Sequence, residues 1–266
     1  MQAKKKPSNF VVFLTDDLGW GDLACYGHPV IQTPNLDKFA KQGMRFTQSY
    51  SACGVCSPSR SSILTGRTPY RNGVWRWIPG GHQVHLRTSE ITSAELLKEK
   101  GYETCHVGKW HLNGFRGPGA PILGSDPRSP GAFGFDEWLS VSNFFDRNPI
   151  MSRQGTFEEF KGDSSEIIVA EALEFITRQA KSGKPSFTVI WYGTPHSPFV
   201  ASDEDKAPFP NLEDPSKNHY GEMVAMDRSI GTLRRGLRNL RIADNTLVWF
   251  NSDNGGLQNI KPDTVG

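Results

Sequence analysis

Ionisable and amide side chains follow apolar segments at four separate places in this sequence. If those segments are strands of an open α/β sheet, the polar residues meet beyond the carboxyl ends of the strands, where such sheets bind ligands. Three carboxylates and an amide oxygen suit a hard divalent cation, Ca²⁺ or less well Mg²⁺, better than zinc, which favours histidine and thiolate ligands. The candidate residues are Asp16 and Asp17, Lys109 and His111, His196, and Asp253 and Asn254.

A cysteine opens the most informative segment, residues 56–67, which reads C-S-P-S-R-S-S-I-L-T-G-R. Ser57 and Pro58 have the form of a helix N-cap and a first helical residue, and Gly66 suits the position after the last turn. Cys56 is therefore predicted to lie at a helix N-terminus. Free backbone N–H groups and the positive end of the helix dipole favour an anion there, either a thiolate or a bound oxyanion.

Each of these features also has a purely structural interpretation. Asp-Asp and Asp-Asn-Gly sequences are typical of solvated turns, and a single lysine or histidine is most often solvated or packed. A cysteine before a helix is often an unreactive core residue. The joint placement of the candidates after separate core strands favours a site over these alternatives.

Four segments have the pattern of strands that are buried on both faces of a parallel sheet. Each is a short, nearly continuous apolar run, rich in β-branched and aromatic residues. The run at Asn9–Thr15, N-F-V-V-F-L-T, stops abruptly at Asp16. The other predicted strands cover residues 102–107, 186–192 and 245–251.

Helix signals precede the strands, as expected of a repeated helix–strand step. Thr92-Ser93-Ala94-Glu95 has capping-box form, and apolar residues between 223 and 240 recur at spacings of three and four. Further helices are predicted between Thr33 and Gly43 and over residues 164–180. The pattern predicts an α/β fold, with a mostly parallel central sheet that helices cover on both faces. The Pro- and Gly-rich residues 114–134 and 200–218 are predicted to be long surface loops.

The composition is that of an ordinary globular protein: 266 residues, with 30 Lys and Arg against 28 Asp and Glu and a net charge of +2. This balance gives no excess of positive charge with which to bind nucleic acid or an anionic membrane, so neither is expected as a partner. No apolar stretch approaches the roughly 20 residues of a spanning helix, and the first residues lack an apolar signal-peptide core, so no membrane insertion is expected. Four scattered cysteines match neither a disulfide framework nor a zinc site.

Residues 56–67 match the sulfatase signature, Cys-x-Pro-Ser-Arg-x-x-x-Leu-Thr-Gly-Arg, at every specified position. Other motifs follow in the order of that family: D-D-L-G-W-G-D at 16–22, G-K-W-H-L at 108–112, T-P-H-S-P-F at 194–199 and S-D-N-G at 252–255. The sequence therefore resembles the sulfatases over about residues 9–256, and most closely the arylsulfatase and N-acetylgalactosamine-6-sulfatase branch. The resemblance implies an alkaline-phosphatase-like fold and hydrolysis of aryl sulfates or sulfated carbohydrates.

For Cys56, the resemblance implies conversion to Cα-formylglycine by a formylglycine-generating enzyme, which would be a partner of this protein. The hydrated aldehyde has two hydroxyl groups. One would attack sulfur, and the second would later allow sulfate to be expelled, an exit that a Cys or Ser nucleophile lacks. A metal would acidify the attacking hydroxyl and neutralise sulfate oxygens.

The resemblance also implies a role for every other candidate. One Ca²⁺ would be held by four side chains together with the oxygen of residue 56: Asp16, Asp17, Asp253 and Asn254. Four more residues would act on the substrate or on the nucleophile. Arg60 would stabilise the nucleophile, Lys109 would bind sulfate, His111 would take a proton during sulfate elimination, and His196 would protonate the leaving oxygen.

The sequence departs from the sulfatase pattern near its end. Family members carry a further lysine, in Lys-x-x-x-x-Glu-Gly-Gly, about twenty residues after the Asp-Asn pair. Lys261 lies in N-I-K-P-D and is not expected to replace it. Residues 1–266 are thus expected to form an N-terminal catalytic domain that is incomplete at its C-terminal end, without the family's C-terminal subdomain. Two alternatives stay open: a phosphatase or phosphonate-hydrolase relative on the same fold, and a truncated, non-catalytic fragment.

Two further expectations concern substrate and location. Trp75, Trp77, His82 and His85 could line a sugar or aryl pocket, but a structural loop that packs its own aromatic side chains is the favoured interpretation. The sequence itself encodes no location, and the resemblance implies a periplasmic, secreted or lysosomal protein.

Overall fold

A seven-stranded sheet organises the protein in a computed structural model that describes residues 7–79, 81–114, 120–143 and 145–256. The strands are β1 (Asn9–Thr15), β2 (Glu103–Lys109), β3 (Glu137–Val141), β4 (Ile150–Arg153), β5 (Thr156–Glu159), β6 (Ser186–Trp191) and β7 (Thr246–Ser252). Their order across the sheet is β5-β4-β3-β2-β6-β1-β7. The five strands β3, β2, β6, β1 and β7 run parallel to their neighbours in this order. At the other edge, β4 pairs antiparallel with β3 and β5 pairs antiparallel with β4.

The helices lie on both faces of this sheet. They are α1 (Pro34–Gln42), α2 (Cys56–Thr65), α3 (Pro69–Asn72), α4 (Ser93–Glu99), α5 (Ser164–Ser182), α6 (Asp203–Lys206) and α7 (Asp214–Asn239). One core cluster joins the sheet to α1, α5 and α7, and a second joins it to α2 and α4. The predicted α/β fold, a mostly parallel sheet covered on both faces, is confirmed. No helix of the described residues combines the length and the apolar character needed to cross a bilayer.

Two predicted surface loops contain more regular structure than expected. Residues 200–218 hold α6 and the first turn of α7, so the prediction of a continuous loop there is wrong. The Ser202 hydroxyl caps α6 by accepting a hydrogen bond from the Asp205 amide at 3.0 Å, and Pro215 lies in the first turn of α7. Both are ordinary helix-start signals, hidden in a Pro- and Asp-rich composition. In 114–134, a short 3₁₀ helix forms at Pro130–Phe133, and residues 115–119 lie outside the described part.

The strand β7 differs from the prediction in its burial. Its register with β1 is continuous, from Asn9 opposite Thr246 to Thr15 opposite Ser252. Side chains alternate in exposure, however, with Leu247 54% and Trp249 40% exposed. The prediction of a strand buried on both faces is therefore wrong for β7, because it forms one edge of the sheet in the described chain and one of its faces is open.

Candidate active site

Three strands end where the candidate residues begin. Asp16 directly follows β1 and Asp253 directly follows β7. The strand β2 runs two residues further than predicted, so Lys109 is its last residue rather than part of the following loop. Backbone hydrogen bonds extend the strand pairing into the site, since the Asp16 amide donates to Thr194 and the Asp253 amide donates to Thr15, both at 3.0 Å. The strand ends are thereby brought together.

The helix α2 brings Cys56 and Arg60 to the same place. Cys56 is the first helical residue, and Val55 is the N-cap without a side-chain cap hydrogen bond. The prediction that Ser57 caps the helix is wrong, because the Ser57 hydroxyl instead accepts a hydrogen bond from the Ile78 amide at 3.2 Å. Gly66 ends the helix in the left-handed conformation, as predicted. Arg60 follows Cys56 by about one helical turn and is fully buried.

Two buried cations face two buried carboxylates in this site. Arg60 donates to Oδ2 of Asp253 from Nε at 3.2 Å and from Nη2 at 2.8 Å, and its Nη2 lies 3.2 Å from Oδ1 of Asp16. Lys109 Nζ lies 2.5 Å from Oδ2 of Asp16. All four side chains are fully buried, so solvent does not screen these charges.

A second layer of contacts joins Asp17 and Asn254 to the same cluster. Asp17 has a positive φ of 61°, in the left-handed region that aspartate tolerates better than most residues. Its amide donates to Oδ1 of Asp253 at 3.2 Å, and its Oδ1 accepts a hydrogen bond from Asn254 Nδ2 at 2.6 Å. The turn after β1 and the turn after β7 are thus held together through their functional side chains.

The carboxylates of this cluster carry more negative charge than the two cations neutralise. Burial would raise the pKa of Asp16, but Lys109 and Arg60 hold that pKa well below its ordinary value. Burial and the neighbouring Asp16 raise the pKa of Asp17, and they raise the pKa of Asp253 to about 7. The cluster is therefore short of positive charge.

The donor atoms of the cluster fit a hard divalent cation. Oδ1 of Asn254 is buried and accepts no hydrogen bond, and Oδ1 of Asp16 is buried with the Arg60 ion pair at 3.2 Å but no hydrogen bond. One ligand atom each of Asp16, Asp17 and Cys56 lies within 4.8 Å of the others. Buried oxygen atoms that accept no hydrogen bond, next to surplus carboxylate charge, are what a Ca²⁺ or Mg²⁺ ion would satisfy.

His111 presents an unprotonated nitrogen inside the site. Its Nε2 lies 2.8 Å from the carbonyl oxygen of Ile78, which can only accept a hydrogen bond, so Nε2 carries the proton. Its Nδ1 is buried and has no hydrogen-bond partner. Burial and then the charge of Lys109 hold the pKa of His111 well below its ordinary value, so the ring is neutral with a free lone pair on Nδ1.

His196 lies on the more open side of the cluster. Its Nε2 is 3.6 Å from Oδ2 of Asp17, and its Nδ1 is 2.5 Å from the carbonyl oxygen of Ser197. Its side chain is 22% exposed, whereas the side chains of Arg60 and Lys109 are fully buried. His196 is therefore more accessible from solvent than these two cations.

The structure brings all nine candidate residues into one region, and it adds contacts that the sequence pattern did not indicate. Ile78 joins α2 to His111, because its amide donates to Ser57 and its carbonyl oxygen contacts His111. The guanidinium carbon of Arg60 lies 5.1 Å from the ring centre of Trp191, in a cation–π arrangement. Neither contact has a local sequence signal. Lys261 lies outside the described residues.

Comparison with known proteins identifies the class that this fold and site define. The Sulfatase family model matches residues 8–261. Because the match covers nearly the whole chain, this chain belongs to the sulfatase family. The resemblance noted from the sequence motifs is confirmed.

Curated relatives are similar over almost all of this chain. Human N-acetylgalactosamine-6-sulfatase is 35% identical over 285 residues, covering 98% of this chain and 52% of that protein. The ulvan-active sulfatase of Formosa agariphila is 30% identical and covers 98% of this chain and 53% of its own length. Human arylsulfatase A is also 30% identical, with 95% and 53% covered. The chain spans about half the length of the curated relatives it matches.

Solved structures agree with the fold. The crystal structure of Ps i-CgsB has a TM-score of 0.86 at 30% identity, covering 94% of this chain and 59% of that one. A Vibrio parahaemolyticus protein of the alkaline phosphatase superfamily matches with a TM-score of 0.65 at 23% identity, covering 97% and 57%, and this likeness concerns the fold alone. The predicted alkaline-phosphatase-like architecture is confirmed.

Proposed function

We propose that the protein hydrolyses sulfate esters at the cluster around Cys56. One observation carries the proposal: Cys56 begins a helix beside carboxylates that fit a divalent cation, and two buried cations, Arg60 and Lys109, lie in the same cluster. A sulfate group is a compact anion, and bound cations and free helix N–H groups stabilise such an anion and the charge that develops during its transfer.

Asp16, Asp17, Asp253 and Asn254 would hold the metal, and Ca²⁺ is the ion that this all-oxygen set suits best. When bound, the ion lowers the pKa of a coordinated hydroxyl and neutralises charge on sulfate oxygens. The buried oxygen atoms of Asp16 and Asn254 that accept no hydrogen bond support this assignment. Arg60 orients Asp253 and opposes the rise in its pKa that burial causes, and Lys109 orients Asp16 and keeps it ionised.

Cys56 would act as Cα-formylglycine, made by a formylglycine-generating enzyme. As an unmodified thiol, Cys56 would be a poor nucleophile here. Burial raises its pKa well above the ordinary value; Lys109 lowers it in part, and the neighbouring carboxylates raise it further. Conversion of the side chain removes this difficulty, because a hydrated aldehyde supplies two hydroxyl groups and no thiol.

The two histidines are suited to opposite proton transfers. Nδ1 of His111 is a buried lone pair without a partner, so His111 would accept a proton beside residue 56. His196 lies at the open side of the site, so it would donate a proton to the oxygen of the departing alcohol. Each histidine is oriented by a backbone carbonyl group, that of Ile78 for His111 and that of Ser197 for His196.

Sulfated carbohydrates are the substrate class that we propose, ahead of simple aryl sulfates. The names of the similar proteins support it. They include an N-acetylgalactosamine-6-sulfatase, an ulvan-active sulfatase, and Ps i-CgsB, which has also been crystallised in complex with k-i-k-neocarrahexaose at 29% identity to this chain.

The test is turnover by the full-length protein, coexpressed with a formylglycine-generating enzyme and supplied with Ca²⁺. We expect p-nitrophenyl sulfate to be hydrolysed faster than p-nitrophenyl phosphate, and we expect a Cys56→Ala variant to hydrolyse neither. Faster phosphate turnover would assign the site to the phosphatase relatives, and turnover that survives Cys56→Ala would exclude the proposed nucleophile.

A further inference from the structure

A short segment beside the site exposes two tryptophan side chains. Val74 and Ile78 are buried in the core at its two ends, with 0% and 3% exposure. Between them, Trp75 is 53% and Trp77 is 46% exposed. The interpretation that this loop packs its own aromatic side chains is therefore wrong for these two residues. Their anchored neighbours fix the backbone, and about half of each indole side chain faces solvent.

Hydrogen bonds join this segment to the catalytic cluster. The amide of Ile78 donates to the Ser57 hydroxyl at 3.2 Å, and Ser57 directly follows Cys56. The carbonyl oxygen of Ile78 lies 2.8 Å from Nε2 of His111. Trp77 precedes Ile78, so its Cα lies about 3.8 Å from a residue that contacts both sides of the site. Trp75, Arg76 and Trp77 therefore belong to a segment that adjoins the site, and these three residues are called the rim.

The chain around the rim is basic. Residues 66–89 contain four arginines and no Asp or Glu. Arg67 is paired with Glu90 at 2.9 Å, and the guanidinium carbon of Arg76 lies 5.6 Å from the ring centre of Trp75. The rim thus combines indole faces with a guanidinium group. Aromatic faces pack against the apolar face of a sugar ring, and guanidinium binds carboxylate and sulfate oxygens in pairs.

We propose that Trp75, Arg76 and Trp77 bind the sugar unit that adjoins the unit carrying the scissile sulfate. The ligand class is an anionic oligosaccharide with a sulfate or carboxylate on the neighbouring unit. The indoles contact the ring of that unit, and Arg76 binds its anionic group. The inference rests on the proposed function, because it requires the sulfate at Cys56 to belong to a glycan chain.

The first test compares two substrates in the full-length, matured protein. The variants are Trp75→Ala/Trp77→Ala and Arg76→Ala, and the control is Phe157→Ala, which removes another exposed aromatic ring from β5 at the far edge of the sheet. With a chondroitin 6-sulfate or carrageenan hexasaccharide, we expect the rim variants to lose about tenfold or more in kcat/KM, mainly through KM. With p-nitrophenyl sulfate, we expect all variants to stay within about twofold of the parent.

A second measurement does not need turnover. Titration calorimetry with the same hexasaccharides in a Cys56→Ala background should show weaker binding after the rim substitutions and unchanged binding after Phe157→Ala. Desulfated carrageenan hexasaccharide, which has no anionic group left, should bind the parent more weakly and should lose little further affinity from Arg76→Ala. If neither substrate is turned over, the proposed function fails, and the calorimetry still shows whether Trp75, Arg76 and Trp77 bind the oligosaccharide.

Three results would overturn the inference. In the first, the rim variants keep the parental affinity and kcat/KM for the hexasaccharide. In the second, the rim variants lose as much kcat/KM on p-nitrophenyl sulfate as on the hexasaccharide. In the third, Phe157→Ala lowers hexasaccharide affinity and kcat/KM as much as the double variant does. The first result would show that the exposed indoles do not bind the oligosaccharide and would favour another ligand for them, such as a protein. The other two would reduce the rim to a structural element.

Discussion

Arg60 donates two hydrogen bonds to a single oxygen of Asp253, from Nε at 3.2 Å and from Nη2 at 2.8 Å. The two residues are 193 positions apart, and both side chains are fully buried. The pair ties the helix that begins at Cys56 to the turn that follows β7. Through Oδ1 of Asp253, which accepts from the Asp17 amide, the same contact reaches the turn after β1.

We predict that loss of this buried pair destabilises the fold strongly. Arg60→Met would leave Asp253 and Asp16 without their shared cation, and breaking such a pair typically lowers the free energy of unfolding by about 3–5 kcal/mol. The measurement is urea unfolding of the metal-free protein. Arg235→Met removes an exposed arginine of α7 and should change the free energy by less than about 0.5 kcal/mol. Equal stability of the two variants would contradict the prediction.

We predict that Ca²⁺ stabilises the protein more at pH 8 than at pH 5. Burial and Asp16 raise the pKa of Asp253 to about 7 in the metal-free site, from an ordinary 3.8. Between these values the folded state holds a proton that the unfolded state has released, so metal-free stability falls as the pH rises. A divalent cation removes that penalty by neutralising the carboxylates.

Thermal unfolding with excess Ca²⁺ and with a chelator, at both pH values, measures this difference. Saturation at a hundred times Kd corresponds to about 2.7 kcal/mol of stabilisation. Asp253→Asn should reduce the Ca²⁺ effect and its dependence on pH together. A Tm shift that is equal at the two pH values, or larger at pH 5, would show that Asp253 does not titrate as described.

We predict that turnover follows the oxidation state of residue 56. Mass spectrometry of the peptide containing Cys56 should find an aldehyde in active full-length protein and a thiol in protein made without the formylglycine-generating enzyme. The thiol form and Cys56→Ser should be slower by a factor on the order of 10³ or more, because neither offers a second hydroxyl for release of sulfate. Full activity in a preparation that contains only thiol would refute the prediction.

We predict that His196 matters most when the leaving group is poor. His196→Ala should lower kcat for a sulfated sugar by about 10²–10⁴-fold, because the departing alkoxide needs a proton. The same variant should affect p-nitrophenyl sulfate much less, since p-nitrophenolate departs without protonation. His111→Ala should slow both substrates alike. A loss from His196→Ala that does not depend on the leaving group would assign His196 a role in binding.

Sequence patterns predicted best the bounds and caps of those elements whose structure follows from neighbouring residues. The strand Asn9–Thr15 has the predicted bounds, because an apolar β-branched run that ends at two aspartates has few alternative structures. The capping box at Thr92 is present, with the Glu95 amide donating to the Thr92 hydroxyl at 3.2 Å. The position of each candidate motif directly after a predicted strand also indicated that these motifs meet, since the carboxyl ends of parallel strands lie at one edge of the sheet.

Features that depend on distant contacts could not be predicted in this way. Ser57 has the residue type and position of an N-cap, yet its hydroxyl accepts a hydrogen bond from the Ile78 amide, and Val55 occupies the cap position. The exposure of Trp249 depends on which elements flank β7, and the exposure of Trp75 depends on the anchors at Val74 and Ile78. These are tertiary effects, which a single sequence does not encode locally.

A buried carboxyl group outside the cluster supports the loop that carries His196. Glu222, on α7, accepts a hydrogen bond from the Val200 amide at 2.5 Å through Oε1, whereas Oε2 is buried without a partner. Burial raises the pKa of Glu222 well above its ordinary 4.5, and the charges of Asp146 and Asp163 raise it further. Above pH 4.5 the folded protein therefore holds a proton on Glu222 more tightly than the unfolded chain does, so this site costs stability as the pH rises.

We predict that Glu222→Gln equals or exceeds the parent in stability at pH 8. The neutral amide keeps the oxygen that accepts from Val200 and removes the need to hold a proton, so its advantage should shrink to zero as the pH falls below about 4.5. Glu222→Ala should be about 1–3 kcal/mol less stable than Glu222→Gln at every pH, because the Val200 amide is left without a partner. Urea unfolding of the three proteins at pH 4, 6 and 8 measures both effects. If Glu222→Gln were destabilised at pH 8 as much as Glu222→Ala, the parent would have to be ionised at this position, and the charge of the carboxylate would be what holds the loop.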